Sequence, residues 1–210
     1  MQRASLAPWS AEAFRAKAAG EAGPFAGDAY GDHRWNPDAS GLFPLDGLRD
    51  AAVLVPVVDR GADAGLLLTK RTDTLRAHSG QIALPGGRID PTDGSPEAAA
   101  LREAREEIAL DPADVQIVGR LPDYVTGSGY RIVPVLGVVA PDAALKPNPD
   151  EVAAIFEVPL RFLMDPANHR HESLVWKGHQ RFYYAMPWED WPIWGVTAGI
   201  LRMLYERLYR

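Results

Sequence analysis

Three glutamates, Glu103, Glu106 and Glu107, crowd one side of a short amphipathic segment running from Ala98 to Leu110. At about 100° per residue, a helix puts Leu101, Ala104 and Ile108 on one face. The three carboxylates then fall within an arc of roughly 100° on the other side. Glu103 and Glu107 are four residues apart, so their side chains are neighbours and repel. Such a face either stays solvated or holds a cation between its oxygens, and an all-oxygen cluster suits a hard ion, Mg²⁺ above all. The ends of this helix are legible. Ser95 is placed to cap it, Pro96 fits the first helical position, and Asp111-Pro112 stops it. Just upstream, Gly86-Gly87 supplies a bend where backbone can approach a ligand closely.

The spacing Gly87-x5-Asp93-x8-Arg102-Glu103-Ala104-x-Glu106-Glu107-Ile108-x-Leu110 resembles the signature of the Nudix hydrolases. Two positions depart from that pattern. Asp93 stands where the family has a glutamate, followed by a gap one residue longer, which bears on the support of the box arginine. Ala109 replaces the final glycine, which bears on how the helix ends. The resemblance implies an α/β (α+β) chain with the Nudix fold, an α/β/α sandwich around a mixed β-sheet. It also implies a divalent metal, Mg²⁺ or alternatively Mn²⁺, held by Glu103 and Glu107. Glu106 is then a further ligand or an aid to the attacking water, and Arg102 holds the glutamates in place. Glu151, in the acidic turn Asn148-Pro149-Asp150-Glu151, is the candidate for the additional acid that the family often supplies from outside the box.

A second pattern abuts the first. Leu67-Leu68-Thr69-Lys70-Arg71-Thr72-x3-Arg76-x3-Gly80-x3-Leu84-Pro85-Gly86-Gly87 resembles the extra motif of the coenzyme A pyrophosphatase branch of the family, with mild departures at Thr72 and Leu84. The resemblance implies hydrolysis of the diphosphate of coenzyme A or an acyl-CoA. Arg71, Arg76, Lys70, Gly86 and Gly87 are the substrate-binding candidates. The alternatives are another nucleoside diphosphate derivative, such as ADP-ribose or a dinucleotide, and a non-catalytic nucleotide sensor.

The rest of the chain agrees with such an enzyme. At 210 residues it is most simply one domain, residues 1–210, with an N-terminal helix and arm over about 1–47. A net charge of −6 argues against a nucleic-acid partner. There is no apolar run of membrane-spanning length and no secretory start. The absence of cysteine excludes disulfides and thiolate chemistry and fits a cytoplasmic location. The pattern predicts a helix over Ala11 to Ala19, an irregular arm over 21–47, and strands over Ala51–Val58, Leu66–Lys70, Gln81–Leu84, Val115–Leu121, Ile132–Val139 and Val152–Val158. A short helix over Pro159–Met164, a hairpin of Glu172–Trp176 with Gln180–Ala185, and a closing helix over Trp194–Leu208 complete it. The aromatic residues from Trp176 to Trp194 read as core or as contacts of a homodimer, with stacking on adenine or lining of a pantetheine channel the alternative.

Overall fold

The computed structural model describes residues 6–19, 30–37, 43, 46–74, 78–176 and 178–210. Its centre is a pair of ten-residue strands, β2 (Arg49–Val58) and β8 (Tyr130–Val139), which run parallel in continuous register from Arg49↔Tyr130 to Val58↔Val139. A strand covered on both faces has no polar side to alternate with, so its sequence reads as an unbroken apolar run. In β2, Val55 and Val57 belong to the core on one face while Ala52 and Leu54 belong to the core on the other.

Among the described residues the mixed sheet has nine strands. Along its main path, β1 (Tyr30–Gly31) pairs with β7 (Tyr124–Val125), β7 with β8, β8 with β2, β2 with β3 (Gly65–Arg71), and β3 with β4 (Ile82–Ala83). Beside that path, β5 (Gly86–Arg88) pairs with β2, β6 (Val115–Arg120) with β8, and β9 (Val152–Pro159) with β3. One face carries α1 (Ala11–Ala19) and α5 (Gly195–Leu208), through Phe14, Ala198, Leu201 and Leu204. The other carries α3 (Pro96–Ile108), through Ala100, Ala104 and Ile108. These layers make the α/β/α sandwich. The short helices α2 (Asp32–Trp35) and α4 (Leu160–Leu163) are accessory. A separate antiparallel sheet, β10 (Arg170–Trp176), β11 (His179–Trp188) and β12 (Trp191–Trp194), packs against α5.

Several boundaries differ from expectation for physical reasons. Gly86–Arg88 is a strand, not merely a bend, because its backbone pairs with Ala51–Val53 of β2. Helix α3 ends at Ile108, two residues early, since Ala109 turns into the left-handed region at φ 55°. The arm expected to be irregular contains β1 and α2 among its described residues. They are held by tertiary bonds: Asp32 accepts from Tyr124, Gly127 and Arg181, and Asn36 bonds the backbone of Phe182. Trp194 ends a strand before the closing helix begins at Gly195. No helix among the described residues is long and apolar enough to cross a membrane.

Candidate active site

The acidic helix starts where its cap predicts: the Ser95 hydroxyl accepts from the Ala98 N–H at 3.2 Å, with Pro96 in the first turn. From there the three glutamates diverge in environment. Glu106 is more than half exposed, Glu103 mostly covered, and the Glu107 side chain only 5% exposed. The periodicity that groups them on one polar face does not reveal this gradient. It arises because β5 runs beneath the helix, so the residue facing β5 is buried whatever its charge.

Glu107 is satisfied by what surrounds it. Its Oε2 accepts from the Gly86 N–H at 3.2 Å, and its Oε1 lies 3.6 Å from Arg71 Nη1. These contacts do not offset burial, which pushes the carboxyl up to about 7, with the charges of Glu103 and Glu151 adding to the rise. Glu103 is raised as well, chiefly by burial against the opposing pull of Arg102, with Glu106 and Glu151 adding. Glu151 thus acts electrostatically on both glutamates. Its loop is tied to both walls: Asn148 N–H donates to Glu107 O, and Thr72 N–H donates to Glu151 O.

Arg102 is the cation of the cluster. It donates to both oxygens of Asp93 at 2.9 Å, to Glu103 at 2.9 Å, to Glu106 at 3.2 Å and to the Arg88 carbonyl at 3.0 Å. Bonding to Arg102 holds the Asp93 carboxyl down at about 2. The aspartate therefore gives the arginine full bidentate support despite its shorter side chain and the longer gap that follows. Its own turn is braced by bonds between Asp90 and Asp93 in both directions.

The remaining candidates separate. Gly86 and Gly87 lie directly under Glu107 and Glu103: a Cβ on Gly87 would come within 2.6 Å of the Glu103 carboxylate. Arg71 joins Glu107, and its Nε is buried without a hydrogen-bond partner. Lys70, the next residue along β3, points to the opposite face, where its ammonium sits 5.8 Å over the Trp191 ring. It is not brought together with the carboxylates. Arg76 lies outside the described residues.

The donor set is chemically suited to a hard divalent cation. It is all carboxylate oxygen, it crowds like charges, and its two most covered members are shifted toward their neutral forms, chiefly by burial. Among the described residues, no three such groups stand together closely enough to enclose an ion as they are. Glu103 and Glu106 are each engaged by Arg102 instead.

The NUDIX domain family matches residues 48–181, from β2 into β11, the acidic helix included. The chain belongs to the Nudix family. A Nudix hydrolase of Cronobacter sakazakii, named NudL and described as uncharacterized, is 45% identical over 156 residues, covering 74% of this chain and 81% of that one. Its Escherichia coli K12 namesake is 43% identical over the same shares. Among solved structures, the Nudix hydrolase RenU of M. smegmatis overlaps 54% of this chain and 71% of its own at 27% identity, with a TM-score of 0.46. Nudix hydrolases generally use divalent metal ions such as Mg²⁺ or Mn²⁺. The Nudix match begins after β1 and α2, so Asp32 and its partners Tyr124 and Arg181, which the sequence reading missed, join a segment outside the match to the family domain. A lone aspartate in a Gly- and Pro-rich arm gave no signal for that network.

Proposed function

We propose that this Nudix protein is a metal-dependent hydrolase that cleaves the diphosphate linkage of coenzyme A or an acyl-CoA. The products are adenosine 3′,5′-bisphosphate and 4′-phosphopantetheine or its acyl form. One observation carries the reading: Arg71, from the motif that resembles the coenzyme A branch, reaches Glu107 of the Nudix box, so the two sequence patterns meet in one site.

Glu103, Glu106 and Glu107 would hold the metal, Mg²⁺ or Mn²⁺. When bound, the ion supplies charge neutralisation at the diphosphate and acidifies bound water. Arg102 positions Glu103 and Glu106. Arg71, which reaches Glu107 and keeps about a quarter of its side chain exposed, donates to a phosphate oxygen. Glu151 or Glu106 accepts the proton of the attacking water. Gly86 and Gly87 leave room on β5 for the β2 backbone and for the Glu103 carboxylate, so the ligands of the site can lie against bare backbone.

The test is mass-resolved product analysis with coenzyme A, dephospho-coenzyme A, ADP-ribose and a dinucleotide, with Mg²⁺ and with chelator. Metal-dependent release of adenosine 3′,5′-bisphosphate, abolished in Glu107→Gln, is expected. Preference for ADP-ribose or the dinucleotide would move the assignment to another Nudix substrate class. Binding without cleavage of any of them would replace the enzyme by a nucleotide sensor.

A further inference from the structure

Arg102 has no spare hydrogen-bonding capacity. A guanidinium offers five N–H donors, and here each has an acceptor. Nε binds Asp93 Oδ1; Nη2 binds Asp93 Oδ2 and the Arg88 carbonyl; Nη1 binds Glu103 Oε1 and Glu106 Oε2. The two edges differ in kind. The Nε and Nη2 edge is fastened to an aspartate whose side chain is almost closed to solvent and is itself fixed by the 90–93 turn. The Nη1 edge binds two carboxylates that a metal would also need, one of them more than half exposed.

We propose that Arg102 is the resident counter-ion of the carboxylate site: its Nη1 edge competes with an incoming divalent cation for Glu103 and Glu106, while Asp93 retains the guanidinium through the exchange. The proposal rests on the metal-binding role given to these glutamates above. A guanidinium that merely braced the ligands would favour cation binding. A competing guanidinium opposes it, by like-charge repulsion and by occupying acceptor oxygens. Asp93 sets the strength of the competition. With its carboxylate neutralised, more of the arginine's charge is directed at Glu103 and Glu106, and the cation faces a stronger rival.

The two residues therefore predict shifts of opposite sign. Equilibrium Mn²⁺ binding to the chelator-stripped protein, read by electron paramagnetic resonance without substrate, should be tighter in Arg102→Gln by about tenfold. It should be weaker in Asp93→Asn by a few-fold. Turnover should fall in both, since each disturbs the ligand geometry, so affinity and rate part company in Arg102→Gln. Unchanged or weaker Mn²⁺ binding in Arg102→Gln, with wild type binding normally and Glu107→Gln binding poorly, would overturn the competition and leave the metal site standing. If Arg102→Gln does not fold, Asp93→Asn decides alone: weaker binding supports the proposal, and equal or tighter binding refutes it. Wild-type Mn²⁺ binding that is absent, or insensitive to Glu107→Gln, would remove the metal site and the competition together.

Discussion

Gly87→Ala is the sharpest perturbation of the site, because the structure separates what it does to the carboxylates from what it does to the fold. A Cβ built on Gly87 meets the Glu103 carboxylate, with Cδ and Oε1 at 2.6 Å and Oε2 at 2.7 Å. Ordinary contact begins at 3.4 Å, so the carboxylate must retreat by about 0.8 Å. The atoms struck are the far end of a flexible side chain, so the backbone of β5 can stay where it is. The stability cost is then about one hydrogen bond, that from Arg102 to Glu103, or roughly 1 kcal/mol. In a chain of this size that is a fall in Tm of about 2–4 °C. Activity should suffer far more, since a misplacement near 1 Å in a catalytic constellation costs on the order of 10²-fold in rate. The neighbouring substitution supplies the contrast. A Cβ on Gly86 would lie 2.4 Å from Ala52 O and 2.6 Å from Val53 Cα, both backbone atoms of the central strand, at a residue with φ 154°. Gly86→Ala must displace β2 or β5, at a cost of about 3 kcal/mol or more. The assay is thermal unfolding alongside steady-state hydrolysis for both variants. Wild-type kcat in Gly87→Ala would refute the claim that Glu103 must sit against a bare backbone. Equal destabilisation by the two substitutions would show that the lost activity reports the fold and not the site.

Three further outcomes follow from the same geometry. Ala109→Gly should stabilise the protein by about 0.5–1 kcal/mol, because Ala109 is exposed, ends α3 at φ 55°, and an alanine pays a steric cost there that glycine does not; a lower Tm in the variant would contradict it. The Asp93 carboxyl is held at about 2, below its ordinary 3.8, so its contribution is complete above about pH 4 and is lost as pH falls toward 2. The Tm difference between wild type and Asp93→Asn should accordingly be full at pH 6, be roughly halved by about pH 3 and close only below about pH 2, and a gap independent of pH would exclude the linkage. Asp32→Ala strands three buried or partly buried donors, Tyr124 OH, Gly127 N–H and Arg181 Nη2, at a cost of about 3 kcal/mol; a loss under 1 kcal/mol by urea denaturation would show that the network is not structural.

How far the sequence reached depended on whether a signal was local. The start of α3 was legible because Ser95 and Pro96 act within one turn of themselves. Strands β2 and β8 were legible as strands from their apolar runs, whereas their parallel pairing was not. The two-residue strands β1 and β7 have no pattern long enough to show a period; they exist because partners elsewhere accept their backbone bonds. The site divides in the same way. Spacing alone gathered Arg102 and the three glutamates on one helix. It could not tell that Glu107 is buried and Glu106 exposed, because that depends on β5 crossing beneath, nor that Lys70 and Arg71, adjacent in sequence, face opposite sides of β3.

The alternation at Lys70 and Arg71 also argues for how the two sequence patterns combine. A strand sends successive side chains to opposite faces, so the stretch of the motif on β3 cannot deliver both Lys70 and Arg71 to one site. Leu66 and Leu68 share a face with Lys70 and enter the core beneath α5, whereas Leu67 shares the face of Arg71 and enters the core beneath α3. The leucines thereby set which of the two cations meets the carboxylates. A one-residue slip of β3 against β9 would exchange them, placing an ammonium with three freely rotating donors where a planar guanidinium now reaches Glu107. The pairing of Gly65 to Lys70 with Pro159 to Ala154 prevents that slip, and the register breaks only between Lys70 and Arg71, at the residue that enters the site. Within β3 the motif therefore aims Arg71, and not Lys70, at Glu107, by a core that fixes its strand.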